Sequence, residues 1–409
     1  MKKVFLPIPE LFSIYAMQFF RTVLIVGLNL SIARFLISSE LFGDFRVAVK
    51  FMLILGTVLF MLYPLLERAI RGFSSSQRGL IYSAVILGIT GLLNGAYIIS
   101  RNVVHDWSIV DYLNHHPIHI LLFGVIIFTV IQIIAARGSA LAIERMNSIS
   151  YFLFAVSMLV AILLLPELDM AAMVAVFLFS QMLLLGISWA VYQLGPKHTV
   201  KTHHSSGRVN LMHQSGLALS LFVLEIFSPR EIDVTYFAII MTLASLMFVV
   251  TQPLSKSLED LDDWVPEYLP QVSKLMWINA LFSSTMFLLL MPLSRVLLGW
   301  IDGGIVLDLS SNEPMLMPLR IALVGFMLIT WLRPFFSILM RYNGEVAKRV
   351  QFAKLILLLV LLLVLVPPYG LYGAIASELM CAASIYGFIL FYLFDKGAVR
   401  PSGFSLYDL

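Results

Sequence analysis

Hydrophobic residues run along the chain in blocks of roughly 20 positions, the length a helix needs to cross a lipid bilayer, and short clusters of charge, proline and glycine separate the blocks. The blocks lack the strict alternation of a half-buried strand and are apolar on nearly every helical face, so each reads as a membrane-spanning helix. The first six lie at Leu11–Ile37, Val47–Pro64, Leu80–Ile99, Ile118–Ala136, Ile149–Leu165 and Met170–Tyr192. After the polar linker GPKHTVKTHHSSGRVN come Leu211–Phe227, Val234–Gln252, Leu275–Leu298, Pro318–Met340, Val350–Val366 and Leu371–Leu393. The clearest stretch is Met340–Leu379, where a basic turn leads into a long apolar run, Pro-Pro-Tyr-Gly reverses the chain, and a second run opens with small residues. Such a segment is a helical hairpin across a membrane.

Composition narrows the class. In 409 residues, 60% are hydrophobic and 12% charged, which excludes a soluble fold and leaves no room for a large domain outside the bilayer. The expected architecture is an all-α polytopic membrane protein of about 12 transmembrane helices in two six-helix bundles. Residues 1–194 form the first bundle, 195–209 a cytoplasmic linker, 210–394 the second bundle and 395–409 a cytoplasmic tail. The first apolar run continues past Arg21 and has no small-residue cleavage site, so it is expected to be a retained span. Basic residues gather on one side of the alternating loops, at Lys2, Lys3, Arg68, Arg71, Arg78, Arg137, Arg145, Lys197, Lys201, Arg208, Arg341, Lys348, Arg349, Lys396 and Arg400. The positive-inside rule then puts both termini in the cytoplasm. The acidic loop 255–273 fits this alternation only because Asp and Glu count little in the rule. A net charge of +3 forms no block away from a membrane boundary, so nucleic acid is not an expected partner, whereas membrane lipid is.

The halves read as weak copies. SSELFGDFRVAVKFMLILGTVLFMLYPL and SPREIDVTYFAIIMTLASLMFVVTQPL each combine a polar turn bearing an Asp (Asp44, Asp233), an apolar run and a closing Pro-Leu (Pro64, Pro253). Six spans separate them, so both would insert in the same orientation.

Ionisable residues inside spans are the candidate chemistry, because a charge at a helix centre costs roughly 2.5–3.5 kcal/mol and needs a partner or a wet cavity. Arg21 is near the middle of the first span and shares a helical face with Gln18 and Asn29, a stripe that either lines a cavity or forms a buried pair. Arg34, Arg46 and Lys50 cluster toward the outer end of the first hairpin, where snorkelling competes with a site. Arg333 sits beside Pro334, whose missing N–H frees a carbonyl that the guanidinium could satisfy. Glu225 and Glu378 are the carboxylates able to take up a proton or pair with Na⁺. Excess cations would suit an anionic diphosphate headgroup. The sequence has neither a phosphate-binding loop nor an H-E-x-x-H motif, and Cys381 is its one cysteine, so no metal and no cofactor beyond a proton or sodium gradient is expected. His105, His115, His116 and His119 share an outer loop without the spacing of a metal site, and reading that loop as an ordinary polar connection competes with reading it as a site.

Three of these stretches resemble the multidrug/oligosaccharidyl-lipid/polysaccharide flippase superfamily, and within it the O-antigen flippases. They are SSELFGDFRVAVKF with its Gly43 and Phe45, SPREIDVTYFAIIMTLASL, and MRYNGEVAKRVQFAKLILLLVLLLVLVPPYGLYGAIASE. The resemblance implies a MATE-like fold, no enzymatic step, and alternating access that moves an undecaprenyl-diphosphate-linked oligosaccharide across the bacterial inner membrane. It also implies a polysaccharide polymerase and glycosyltransferases as neighbours. Cations on the first and second spans (Arg21, Arg34, Arg46, Lys50) would engage the diphosphate; the eighth span carries none. A drug or metabolite exporter of the same superfamily, a polysaccharide polymerase or ligase, and a non-catalytic export subunit remain as alternatives.

Overall fold

The computed structural model describes residues 26–28, 30–34, 43–50, 140–164, 170–194, 218–230, 232–249, 269–301 and 313–399, with isolated positions elsewhere in 24–127 and at 216. Among the described residues there is no strand. The helices are α1 (Ala140–Leu164), α2 (Met170–Leu194), α3 (Ala218–Phe227), α4 (Ile232–Ala244, extended by a 3₁₀ turn Ser245–Val249), α5 (Leu269–Ile301), α6 (Glu313–Tyr342), α7 (Gly344–Tyr369) and α8 (Leu371–Asp395). Five stretches, Met170–Ile187, Val272–Ile301, Met315–Tyr342, Gly344–Tyr369 and Leu371–Asp395, are long and apolar enough to cross a membrane. The all-helical expectation holds, and each of these five overlaps an expected span.

Helix ends differ from the apolar windows for a local reason. The eleventh window opens at Val350, but α7 begins at Gly344 because the Asn343 side chain accepts a hydrogen bond from Val346 N–H (3.2 Å), capping a first turn that carries Glu345 ahead of the basic pair Lys348 and Arg349. At its other end α7 runs through Pro367 and Pro368 to Tyr369, and Gly370 N–H closes the turn onto the Val366 carbonyl at 2.7 Å.

The chain forms two compact units, one of residues 1–37 and 227–409, the other of 38–226. The larger is drawn from two separate stretches and the smaller from one, whereas the expected linear halves divide at the linker, which lies outside the described residues. The interval between Ser38 and Phe227, where the chain changes unit, is the same as that between Asp44 and Asp233 and between Pro64 and Pro253.

In the larger unit α6 is the hub and packs against α4, α5, α7 and α8. Its contact with α8 is close because Gly325 lies under Leu379, and the α7–α8 contact is close because Gly373 lies against the Leu365 carbonyl. One end of the unit is closed by an apolar cluster of Val272, Ile338, Leu339, Ala347, Val350, Ile389 and Leu393. Around it are Arg341, Lys348, Arg349 and Lys396, and Asn343 Nδ2 donates to the Tyr392 hydroxyl at 3.4 Å. The basic residues of three helices thus share one end, as the alternation of loops requires. On α7 only the stripe Ala347, Val350, Gln351, Leu358, Leu362, Val366 is buried, while Ile356, Leu359, Val360, Leu363 and Val364 stay exposed. A helix apolar all round with one face packed needs hydrocarbon around the rest.

In the smaller unit Phe45 is buried and meets Phe177 of α2 edge-on at 6.3 Å, and Phe177 meets Phe154 of α1 edge-on at 5.0 Å. The aromatic of the Gly43–Phe45 pair is therefore a packing residue, in the geometry aromatic rings prefer.

Candidate functional site

The segment 43–50 carries the site's cations in the smaller unit. Arg46 and Lys50 are four residues apart and so stack on one helical face, and both are half-buried. Like charges at this spacing repel, which favours an anion against the pair. Asp44, two residues before Arg46, is buried, and neighbouring groups engage both it and Arg46. In the same unit Glu225 is 5% exposed near the end of α3 and is likewise engaged.

In the larger unit Arg34 is exposed, and its guanidinium lies 5.4 Å from the centre of the Trp300 ring at the end of α5. That distance is within cation–π range and anchors the end of the first span to α5. The first-span stripe of Gln18, Arg21 and Asn29 lies outside the described residues, as do the four histidines of the outer loop.

Arg333 is half-buried in α6 and engaged, but the carbonyl that Pro334 frees has another donor than the expected guanidinium. Proline at 334 removes the N–H that would bond the Thr330 carbonyl, and Asn279 Nδ2 of α5 donates to that oxygen at 3.3 Å. Asn279 is 1% exposed. One residue on, Trp331 Nε1 donates to Ser283 Oγ of α5 at 2.8 Å, so a polar seam joins α5 to α6 beside the proline. The local repair predicted for Arg333 is thus made from a neighbouring helix, whose register the sequence does not give.

Asp233 was legible only as a marker shared by the two halves. Fully buried in the first turn of α4, it is the centre of a clasp. Its Oδ2 accepts from Ser228 Oγ (2.7 Å) and from the backbone N–H of Leu371 (3.2 Å), and its Oδ1 pairs with Arg230 (2.9 Å). Leu371 is the first residue of α8, where backbone N–H groups lack helical partners and attract negative charge. Gly370, at φ +51°, leaves room for the carboxylate because a side chain there would collide with Asp233 Oδ2. Two of the stretches that carry the superfamily resemblance therefore meet at one buried acid.

Glu378 is half-buried on α8 and engaged. Across the hairpin is a residue absent from the expected set, Lys354, whose backbone carbonyl accepts from Cys381 Sγ at 3.4 Å. The described structure therefore brings together Asp233 with the Gly370 turn, and the Lys354 carbonyl with Cys381, about one helical turn from Glu378. Arg34 and Arg333 belong to the larger unit, and Arg46, Lys50 and Glu225 to the smaller.

By sequence, no protein-family model and no curated protein matches the chain. By structure the chain is similar to the MATE multidrug transporter DinF-BH, with a TM-score of 0.63, 14% identity and 97% of each chain covered. It is similar to the lipid II flippase MurJ in an inward closed conformation, with a TM-score of 0.58, 13% identity and coverage of 96% of this chain and 87% of that one. A transporter of the multidrug/oligosaccharidyl-lipid/polysaccharide superfamily from Pyrococcus furiosus, described by the reverse polarity of its binding pocket, matches with a TM-score of 0.50 and 12% identity over 94% of this chain and 91% of that one. At these identities the likeness is one of fold: the chain has the MATE-like fold of multi-pass membrane proteins.

Proposed function

We propose that this chain is a secondary transporter of the bacterial inner membrane that flips an undecaprenyl-diphosphate-linked oligosaccharide by alternating access of two six-helix halves, 1–194 and 210–394. The observation that carries this reading is the stacking of Arg46 and Lys50 on one half-buried face at the start of the second expected span. Two like charges kept one turn apart at the edge of an apolar segment suit a ligand with two adjacent negative groups, and a diphosphate is such a ligand. Arg34, and on the first span Arg21 with Gln18 and Asn29, would extend the same cationic surface, with Arg333 a further contact. The likeness to a lipid II flippase is compatible with a lipid-linked substrate. A proton or sodium gradient would drive the cycle through Glu225 or Glu378, with no bound cofactor, and a polymerase and glycosyltransferases would be functional neighbours.

The test is flipping of a lipid-diphosphate-linked oligosaccharide in proteoliposomes by wild-type, Arg46→Ala, Lys50→Ala and Arg21→Ala proteins at matched abundance. Loss in the charge variants supports the reading, and wild-type rates in all three overturn it. The likeness to a multidrug transporter favours a second reading, export of a drug or metabolite. That reading puts the carboxylates, not the cations, against the substrate, so Glu225→Gln would abolish binding of a cationic dye that Arg46→Ala leaves intact.

A further inference from the structure

Beyond Asp395 the chain does not leave the bundle. Gly397, at φ +65°, turns it back, its N–H bonded to the Phe394 carbonyl (3.0 Å) and the Val399 N–H to that of Leu393 (3.2 Å). That backbone conformation is one glycine adopts without strain. Ala398 and Val399 are each 1% exposed and complete the apolar cluster at the basic end of the larger unit, with Val272 of α5, Ile338 of α6, Ala347 of α7 and Ile389 of α8. Beside them the Tyr342 hydroxyl, at the end of α6, donates to the Lys396 carbonyl at 3.4 Å. In sequence the pair is set between charges, in DKGAVRPSG, so it does not continue the apolar run of α8. Two apolar residues are too few to be held by lipid, and burial against the helix ends is what removes them from water. Four helix ends therefore meet over a segment that belongs to none of them. α8 is fastened at its first residue by Asp233 and beyond its last by this pair.

We propose that residues 396–399 are a strap that keeps the basic ends of α5, α6, α7 and α8 together as one body throughout the transport cycle, so that access at that end opens elsewhere than between these four helices. The inference rests on the transporter reading and deepens it by giving the larger unit a part that stays fixed while others move. A close-packed apolar contact has no half-open form: withdrawing any one of the four helix ends exposes Ala398 or Val399 to water.

The test uses thiol labelling of the full-length protein in proteoliposomes. Cys381 is the sole cysteine and is buried, so Cys381→Ala gives a background in which Val272→Cys, at a position 0% exposed, reports on the strapped end. A hydrophilic maleimide should label Val272→Cys at the same slow rate with and without a lipid-diphosphate-linked oligosaccharide and an ion gradient. Adding Val399→Asp should speed labelling at least about tenfold, because labelling follows local opening, whereas Lys396→Ala, whose side chain is exposed, should not change it. Faster labelling during turnover of the otherwise intact chain overturns the proposal, as does an unchanged rate with Val399→Asp. If Val399→Asp does not fold, Val399→Ala should speed labelling by a smaller factor that still exceeds that of Lys396→Ala, and equality of those two overturns it as well. The variant comparison needs no substrate, so it stands or falls apart from the flipping assay: a strap that holds in a protein that flips nothing removes the transport reading and not the strap.

Discussion

The Asp233 carboxylate accepts the backbone N–H of Leu371 at 3.2 Å, across 138 residues of chain. One buried acid thereby holds the first turn of α4 against the first residue of α8. Asp233→Ala strands the Leu371 N–H and the Ser228 hydroxyl together, and the loss should be about 2–4 kcal/mol, the range for breaking a buried charged network. Arg230 is 56% exposed in its side chain, so Arg230→Ala should cost at most about 1 kcal/mol. Denaturant unfolding of the two variants in detergent measures the contrast, and equal losses would mean that the exposed pair, not the helix-end contact, holds the clasp.

Glycines of the hairpin should differ sharply in tolerance. Gly370→Ala meets both a positive φ and the Asp233 carboxylate, and Gly373→Ala meets the Leu365 carbonyl, so each should destabilise by at least about 1–2 kcal/mol. Gly387, further along α8, has open space where a Cβ would go. Gly387→Ala should be neutral or stabilising by up to about 1 kcal/mol through helix propensity. Melting temperatures of the three single variants test the ranking.

The contact between Asn279 and the Thr330 carbonyl should matter only while residue 334 is proline. Asn279→Ala should cost about 1–3 kcal/mol in the native background, because the freed carbonyl is buried without a donor. In a Pro334→Ala background the returning N–H takes over that oxygen and the cost of Asn279→Ala should shrink by about half or more. A double-mutant cycle of unfolding free energies gives the coupling directly, and strict additivity would refute this account.

If Arg46 and Lys50 each form a charge-assisted hydrogen bond to a diphosphate, about 1.5–3 kcal/mol apiece, then either alanine variant should weaken substrate binding by roughly 10- to 100-fold. Raised ionic strength should weaken wild-type binding more than it weakens binding by the double variant. Titration of proteoliposomes with a lipid diphosphate at two salt concentrations measures both effects.

Much of the fold was legible because the solvent is hydrocarbon: a helix must be long and apolar to cross it, and α2 and α5–α8 fall on expected spans. What the sequence hides is which helix stands beside which. The donor for Thr330 is on α5, and the need for one is visible at Pro334, but the identity of Asn279 depends on the register of two helices. Asp233 was visible as a residue common to both halves, yet its role appears only once the Gly370 turn is brought to it. Lys354 escaped notice because an apolar window opening at Val350 puts it near the boundary. The Asn343 cap starts the helix earlier and carries the same lysine about 15 Å in. The first-span stripe of Gln18, Arg21 and Asn29 remains an expectation, whereas Arg34, from the outer cluster, is seen held over Trp300.

The non-contiguous make-up of the larger unit has a consequence for biosynthesis. Residues 1–37 belong with 227–409, so all of 38–226 is synthesised between the two parts of that unit. At ~5–20 residues per second that interval is on the order of tens of seconds. During it the opening segment, with Arg21 and Arg34, must be held by lipid, by the translocation machinery or by temporary neighbours. Chaperone demand and degradation of stalled chains should therefore concentrate on truncations that end before residue 227, whatever the stability of the finished protein.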